Sequence, residues 1–135
     1  MLQAEERFRR VLIADDSADL REAAKLLLEH AGYEVELVEN GAQALDAQRT
    51  RPSDVLITDI FMPESNGLET IEAFRREFPR TKIIAISGGR ARMGAEPYLD
   101  AAGLAGADAT LLKPFDLQAL LRTLEDLAMA AARRA

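Results

Sequence analysis

The sequence predicts one α/β domain built on a five-stranded parallel sheet. Five short apolar runs recur along the chain, and each is followed by a segment whose apolar residues repeat at helical spacing. The size agrees with this fold class, because 135 residues with 48% hydrophobic content can bury one sizeable core but hardly two. Parallel strands joined through helices are expected to cross over with a right hand.

The first strand and helix fall between Val11 and Gly32. Val11 to Ala14 reads VLIA, a short β-rich run, and Ser17 is a good helix N-cap shortly after it. Apolar residues then recur at helical spacing as far as Leu28, and Gly32 is placed to end the helix as a C-cap.

The next two strands are predicted to differ in burial. Tyr33 to Val38 alternates between apolar and acidic residues, which is typical of a strand at a sheet edge. Asn40 with Gln43 resembles a capping pair for a second helix that ends at about Arg49. Val55 to Thr58 is almost continuously apolar, which predicts a central strand covered on both faces.

The rest of the chain continues the alternation of helices and strands. Pro79 is expected to stop the third helix, and the leucine stripe of the last helix is expected to cover the sheet. The predicted elements are a helix carrying Leu68 to Phe78, a strand at Ile83 to Ile86, a helix from near Pro97 to near Gly106, a strand at Ala109 to Leu112, and a last helix capped by Asp116.

Five chemically reactive side chains lie where the apolar runs stop. They are Asp15 and Asp16, Asp59, Ser87 and Lys113. The carboxyl ends of parallel strands meet at one edge of the sheet, which is where such folds bind ligands. Carboxylates that approach to about 4 Å repel by several kcal/mol at an intermediate dielectric, so the cluster predicts a bound cation and an anion.

The residue types at this edge limit the chemistry. Oxygen ligands with room for water and a phosphate oxygen suit Mg²⁺ or Mn²⁺. Lys113 is suited to a phosphate oxygen or a carboxylate, and the Ser87 hydroxyl could donate to another phosphate oxygen. Asp59 is a better nucleophile than Ser87, because the only histidine, His30, lies late in the first helix and the serine therefore has no histidine base.

Composition excludes several functional classes. A net charge of −6 argues against general attraction to nucleic acid or to an anionic membrane. No cysteine is present, so thiolate metal sites are excluded. No segment approaches the roughly 20 apolar residues that cross a bilayer, and the first ten residues do not resemble a signal peptide. We therefore expect a cytoplasmic protein whose partners are proteins or small phosphorylated molecules.

Four motifs in order give the chain a close resemblance to receiver domains of two-component response regulators. They are VLIADDS, LITDIFMPESNGLE around Asp59, IIAISGG, and the late GADATLLKPF. The resemblance covers essentially all 135 residues and implies a stand-alone receiver with its core at about residues 9–132. It also implies a flavodoxin-like, doubly wound (βα)5 fold with strand order 2-1-3-4-5.

The resemblance assigns a role to each strand-end residue. Asp59 would accept a phosphoryl group from a histidine kinase or a histidine phosphotransfer protein. Asp16 and Asp59 would bind Mg²⁺ directly, Asp15 would help through water, and the backbone carbonyl of Phe61 would be a further ligand. Ser87 would donate to the phosphoryl group and Lys113 would form a salt bridge with it, with a cis bond to Pro114. The protein would then signal by contact with another protein, as a monomer or weak dimer, and would catalyse only its own phosphorylation and dephosphorylation.

One position departs from the family pattern and keeps other functions open. Thr110 stands three residues before Lys113, where the family usually has a tyrosine or phenylalanine that moves when the phosphate binds. One alternative is therefore a phosphorylation-independent adaptor, although the complete acidic set argues against it. Another is a haloacid-dehalogenase-like phosphatase, which predicts a second acid two residues after the nucleophile, where Phe61 stands.

Overall fold

The protein, analysed as a computed structural model, is described over residues 8–62, 65–87, 103, 105–113 and 115–134, with the backbone alone at 61–62, 65–66, 87 and 132–134. The strands are Arg10–Ala14 (β1), Glu34–Val38 (β2), Val55–Asp59 (β3), Phe61–Met62 (β4), Ser65–Asn66 (β5), Lys82–Ser87 (β6) and Ala109–Leu112 (β7). The helices are Ala18–His30 (α1), Gly41–Thr50 (α2), Gly67–Glu77 (α3) and Leu117–Arg134, hereafter the C-terminal helix.

Five of these strands form one parallel sheet in the order β2-β1-β3-β6-β7. Counted along the chain without the short β4–β5 pair, this is the predicted order 2-1-3-4-5. The edge position of β2 and the central position of β3 are both confirmed, and every residue of β3 is buried. The strand order reverses at β1, because β2 is added on one side of β1 and β3 on the other. The carboxyl ends of the parallel neighbours β1 and β3 therefore border the crevice where such sheets bind ligands.

Alternate residues of the strands supply two hydrophobic cores, one on each face of the sheet. Val11 and Ile13 of β1 belong to the core that α1 and the C-terminal helix cover. Leu12 and Ala14 face the other core, under α2 and α3. The predicted role of the leucine stripe is confirmed, because Leu120 and Leu124 are buried while Leu117, Leu121 and Leu127 are partly buried against the same core.

The predicted helix starts are confirmed by their caps. Leu20 N donates to Ser17 Oγ over 3.3 Å, and Ala119 N donates to Asp116 Oδ1 over 2.7 Å. Asn40 caps α2 as expected, because Gln43 N donates to Asn40 Oδ1 over 2.9 Å. The Gln43 side chain accepts from Glu39 N over 2.8 Å, one residue before the cap, and not from the amide of Asn40 itself.

Two helix ends differ in detail from the prediction, and one of them is the end of α3, which stops at Glu77 and leaves Phe78 outside the helix. Helix α1 ends at His30 with Ala31 as its C-cap, and Gly32 follows with a φ of 103°. Gly32 is therefore the residue after the C-cap and not the predicted C-cap itself. Glycine is favoured at this position because the backbone there is left-handed. The predicted helix between Pro97 and Gly106 lies mostly outside the described residues, although Gly103 and Ala105 are helical.

Candidate functional site

Three carboxylates and one ammonium meet at the carboxyl edge of the sheet. Asp15 and Asp16 follow β1, Asp59 is the last residue of β3, and Lys113 follows β7. Strands β1 and β3 are hydrogen-bonded neighbours with Ala14 opposite Thr58, so their ends lie side by side. The predicted convergence of Asp15, Asp16 and Asp59 is therefore present, and Lys113 reaches the same point.

Asp15 is the most enclosed member of the cluster. The residue is 1% exposed, its Oδ1 accepts from Ser17 N over 2.8 Å, and its Oδ2 accepts from Lys113 Nζ over 3.3 Å. Burial raises the pKa of the Asp15 carboxyl, and the charge of Asp59 raises it further, against the lowering effects of the Ser17 amide and Lys113.

Lys113 makes its shorter contact with Asp59, whose Oδ2 lies 2.9 Å from the Lys113 Nζ. Burial, the largest single effect, lowers the pKa of Lys113. The hydrogen bonds and negative charges of Asp59 and Asp15 together outweigh it, so the pKa of Lys113 is raised overall. The lysine therefore carries its full charge at neutral pH.

The donor set of the cluster fits a hard divalent cation. One carboxylate oxygen from each of Asp15, Asp16 and Asp59 lies within 4.8 Å of the others. Asp15 and Asp59 are buried, whereas Asp16 is exposed and opens the cluster to solvent. Three carboxylates and one ammonium leave two negative charges when all are ionised, and oxygen ligands with access to water suit Mg²⁺ or Mn²⁺.

The remaining predicted site residues are placed only in part. Ser87 is the last residue of β6, beside the end of β3, but its hydroxyl lies outside the described atoms. Phe61 begins β4 two residues after Asp59, and its role as a carbonyl ligand stays a prediction. The bond from Lys113 to Pro114 also lies outside the described residues, because Pro114 is not among them.

Two residues that sequence reasoning did not assign to the site hold it in shape. A Cβ added to Gly67 would lie 2.5 Å from the carbonyl oxygen of Asp59 and 2.5 Å from the Cα of Ile60, so only glycine fits there. Arg21 donates from Nη1 to the carbonyl oxygen of Asp15 over 2.6 Å. A glycine at the start of α3 and a cation close to the N-terminus of α1 were the available sequence signals.

Thr110 lies on β7 at the edge of the sheet and is exposed. The position therefore presents an exposed hydroxyl side chain at the sheet edge and not an aromatic ring. Among the described residues, none of the helices is long and apolar enough to cross a bilayer.

Comparison with known proteins identifies the family. Residues 11–125 match the model of the response regulator receiver domain. The response regulator receiver protein CpdR of Brucella abortus is 37% identical over 124 residues, which are 91% of this chain and 99% of that protein. The chemotaxis protein CheY of Thermotoga maritima is 37% identical over 108 residues, 79% of this chain and 87% of that protein.

Solved structures agree with this family in fold. The chemotaxis response regulator CheY4 of Vibrio cholerae is 31% identical, with a TM-score of 0.78 over 88% of this chain and 98% of that one. A CheY-like receiver domain protein from Methanospirillum hungatei is 26% identical, with a TM-score of 0.86 over 95% of this chain and 99% of that one. The family match extends over both the described sheet and its acidic edge, and the chain therefore belongs to the response regulator receiver domains.

Proposed function

We propose that this receiver domain accepts a phosphoryl group on Asp59 from the phosphohistidine of a histidine kinase or of a histidine phosphotransfer protein. The observation that carries the proposal is the position of Asp59 at the end of a buried central strand, within reach of two further carboxylates and the Lys113 ammonium. A carboxylate in this position needs no base to become a nucleophile at neutral pH.

In the proposed reaction, an oxygen of the ionised Asp59 carboxylate attacks phosphorus. A bond forms between this oxygen and phosphorus while the bond between phosphorus and the donor nitrogen breaks. The electron pair of the broken bond stays on the donor imidazole, and Asp59 becomes a mixed carboxylic and phosphoric anhydride. Lys113, which contacts Asp59 over 2.9 Å, would exchange part of this contact for one with the incoming phosphoryl oxygens.

The acidic cluster would hold Mg²⁺ or Mn²⁺ during this reaction. Asp16 and Asp59 are the proposed direct carboxylate ligands, with the Phe61 carbonyl as a third protein ligand and Asp15 acting mainly through water. When bound, the cation would supply positive charge that offsets the negative charge of the carboxylates and of the phosphoryl group. Ser87, at the end of the next strand, would donate its hydroxyl to a phosphoryl oxygen.

The output of this domain would be contact with another protein. Residues 1–135 would act as one receiver that turns over no substrate besides its own aspartyl phosphate. With an exposed threonine at Thr110, the change that follows phosphorylation would reach the surface by a route other than an aromatic side chain. A cytoplasmic location stays a prediction.

The test is incubation with Mg²⁺ and acetyl phosphate, followed by intact mass spectrometry. We expect the mass of one phosphoryl group to appear on the wild type and not on Asp59→Asn. Asp54→Asn is a matched control, because Asp54 directly precedes β3, at the end of the strand opposite to Asp59, and accepts from Arg9 N and Arg10 N. A wild type that gains no phosphoryl group would contradict the proposal and favour the adaptor.

A further inference from the structure

Arg21 contacts the peptide that joins the two adjacent carboxylates of the site. Its Nη1 donates to the carbonyl oxygen of Asp15 over 2.6 Å, and this carbonyl belongs to the peptide bond between Asp15 and Asp16. Arg21 is partly buried in this position, on the first turns of α1. The contact is a charge-assisted hydrogen bond, which is stronger than one between neutral groups.

The location of Arg21 is unfavourable for the helix that carries it. Helix α1 begins at Ala18, so Arg21 lies close to the positive end of the helix dipole, where acidic residues are preferred. Asp19 in the same turn follows that preference. The helix dipole does not favour the guanidinium of Arg21 at this end. Its favourable contact is the hydrogen bond that it donates to the Asp15 carbonyl oxygen.

The turn between β1 and α1 is otherwise tied by longer or more local contacts. Asp15 N donates to Val38 O over 3.3 Å, near the upper limit for a hydrogen bond, and Ser17 N donates to Asp15 Oδ1 over 2.8 Å. The contact to Arg21 acts on the backbone between the two acids. It therefore restricts the rotation of the one peptide unit on which the relative placement of both carboxylates depends.

We propose that Arg21 is a positioning residue for the acid pair, holding the Asp15–Asp16 peptide in the arrangement that binds a divalent cation. This inference rests on the proposed function of the cluster as a metal site. Groups that orient metal ligands without touching the metal commonly change metal affinity by about 10–100-fold when they are removed.

The charge of Arg21 should weaken cation binding, whereas its positioning contact should strengthen it. The sign of the change in metal affinity therefore tests the proposal. A guanidinium close to a cation site repels the cation, so removal of the charge alone would tighten metal binding. Removal of a positioning contact would weaken it. The direction of the change in Arg21→Gln therefore separates positioning from simple electrostatics.

The experiment is a titration of the purified, phosphate-free protein with Mn²⁺, followed by the electron paramagnetic resonance signal of free Mn²⁺. We expect Arg21→Gln to bind Mn²⁺ about 10-fold more weakly than the wild type. Arg21→Lys, which keeps the charge and a donor but loses the planar fork, should fall between them. Lys25→Gln is the matched control, because Lys25 is one turn further along α1 and contacts only Glu29 among the ion pairs described, at 3.9 Å.

A second readout follows the geometry without metal. Hydrogen exchange of the Ser17 amide reports on its contact with Asp15 Oδ1, and we expect faster exchange in Arg21→Gln and unchanged exchange in Lys25→Gln. Thermal unfolding in chelator establishes that each variant is folded, and Arg21→Lys decides the matter if Arg21→Gln does not fold.

The possible outcomes separate this inference from the proposed function. Unchanged or tighter Mn²⁺ binding by a folded Arg21→Gln, or binding by Arg21→Lys equal to that of the wild type when only the lysine variant folds, would overturn the positioning role alone. Failure of the wild type to bind Mn²⁺ would overturn the metal site and the inference together.

Discussion

Lys113 Nζ lies 2.9 Å from Asp59 Oδ2, a contact between residues 54 positions apart in the sequence. The same ammonium lies 3.3 Å from Asp15 Oδ2, so one cation contacts two of the three clustered carboxylates. The cluster therefore holds charges of both signs in direct contact. Its stability and ligand binding should both respond to any change of charge at this edge of the sheet.

The first prediction concerns pH in metal-free buffer. Burial raises the pKa of Asp15 above its ordinary value of 3.8, so the folded protein holds this proton more tightly than the unfolded chain. Below pH 3.8 the carboxyl is protonated in both states, and above its folded pKa it is ionised in both. The contribution of Asp15 to the free energy of unfolding should thus fall as the pH rises through this interval and level off above it.

The measurement is urea unfolding of the wild type and of Asp15→Asn across that interval, in chelator. The difference in unfolding free energy, wild type minus variant, should decrease with rising pH. Asp19→Asn, at an exposed position in α1, is the control. A difference that stays constant or increases with pH would show that Asp15 does not bear a raised pKa.

The second prediction concerns magnesium. A cation that binds only the folded state raises its stability by an amount that grows with ligand concentration, about 2.7 kcal/mol at 100 times the dissociation constant. Asp16→Asn removes one proposed ligand and one repelling charge, so it should lose most of the Mg²⁺-dependent gain while losing little stability in chelator. Thermal unfolding over a Mg²⁺ titration measures both. An equal gain in Asp16→Asn and the wild type would exclude Asp16 as a ligand.

The third prediction concerns Gly67. Its amide donates to Ile60 O over 3.0 Å, and the backbone of Asp59 and Ile60 occupies the space that a Cβ would need. Gly67→Ala should therefore cost about 1–3 kcal/mol of unfolding free energy and slow phosphorylation, because the end of β3 must shift. Gly103→Ala provides the contrast, since its added Cβ meets no atom of the described residues within 4 Å. Equal stability of the two variants in urea unfolding would refute the steric argument.

The fourth prediction concerns the contact between α3 and the approach to β7. The Arg75 guanidinium donates to the carbonyl oxygens of Gly106 and Thr81 over 3.1 Å each and to Asp108 Oδ2 over 2.8 Å. Arg75→Lys cannot make all of these contacts and should lose about 1 kcal/mol, a figure reduced for partial exposure. Hydrogen exchange at Ile83, whose amide donates to the same Asp108 oxygen, should become faster. The exposed neighbour supplies the control, and Arg76→Lys should change neither quantity.

The sequence was sufficient to predict the sheet, because the local signals for strands and helix caps agree with the packing of the whole domain. Ser17, Asn40 and Asp116 each cap the helix that follows, as local hydrogen bonding predicts. The contrast between the alternating β2 and the continuously apolar β3 was sufficient to separate edge from centre. The one-residue difference at Gly32 is within the usual fraying of helix ends.

The acidic cluster was predictable for a related reason, since residues at the ends of parallel strands must share one edge. The roles of Arg21 and Gly67 were not, because each depends on a close contact across a turn or loop that periodicity does not encode. The particular carboxylates that Lys113 contacts were not predictable either. Only the three-dimensional arrangement places Lys113 against both Asp15 and Asp59.

The most direct test of the account is chemical identification of the phosphorylated residue. The wild type is treated with Mg²⁺ and acetyl phosphate, reduced with borohydride, digested and sequenced by mass spectrometry. Hydride reduces an aspartyl phosphate to the alcohol, with loss of phosphate, so the account predicts homoserine at position 59 and unmodified aspartate at positions 15 and 16. Reduction at either of those two positions, or at no carboxylate, would contradict it.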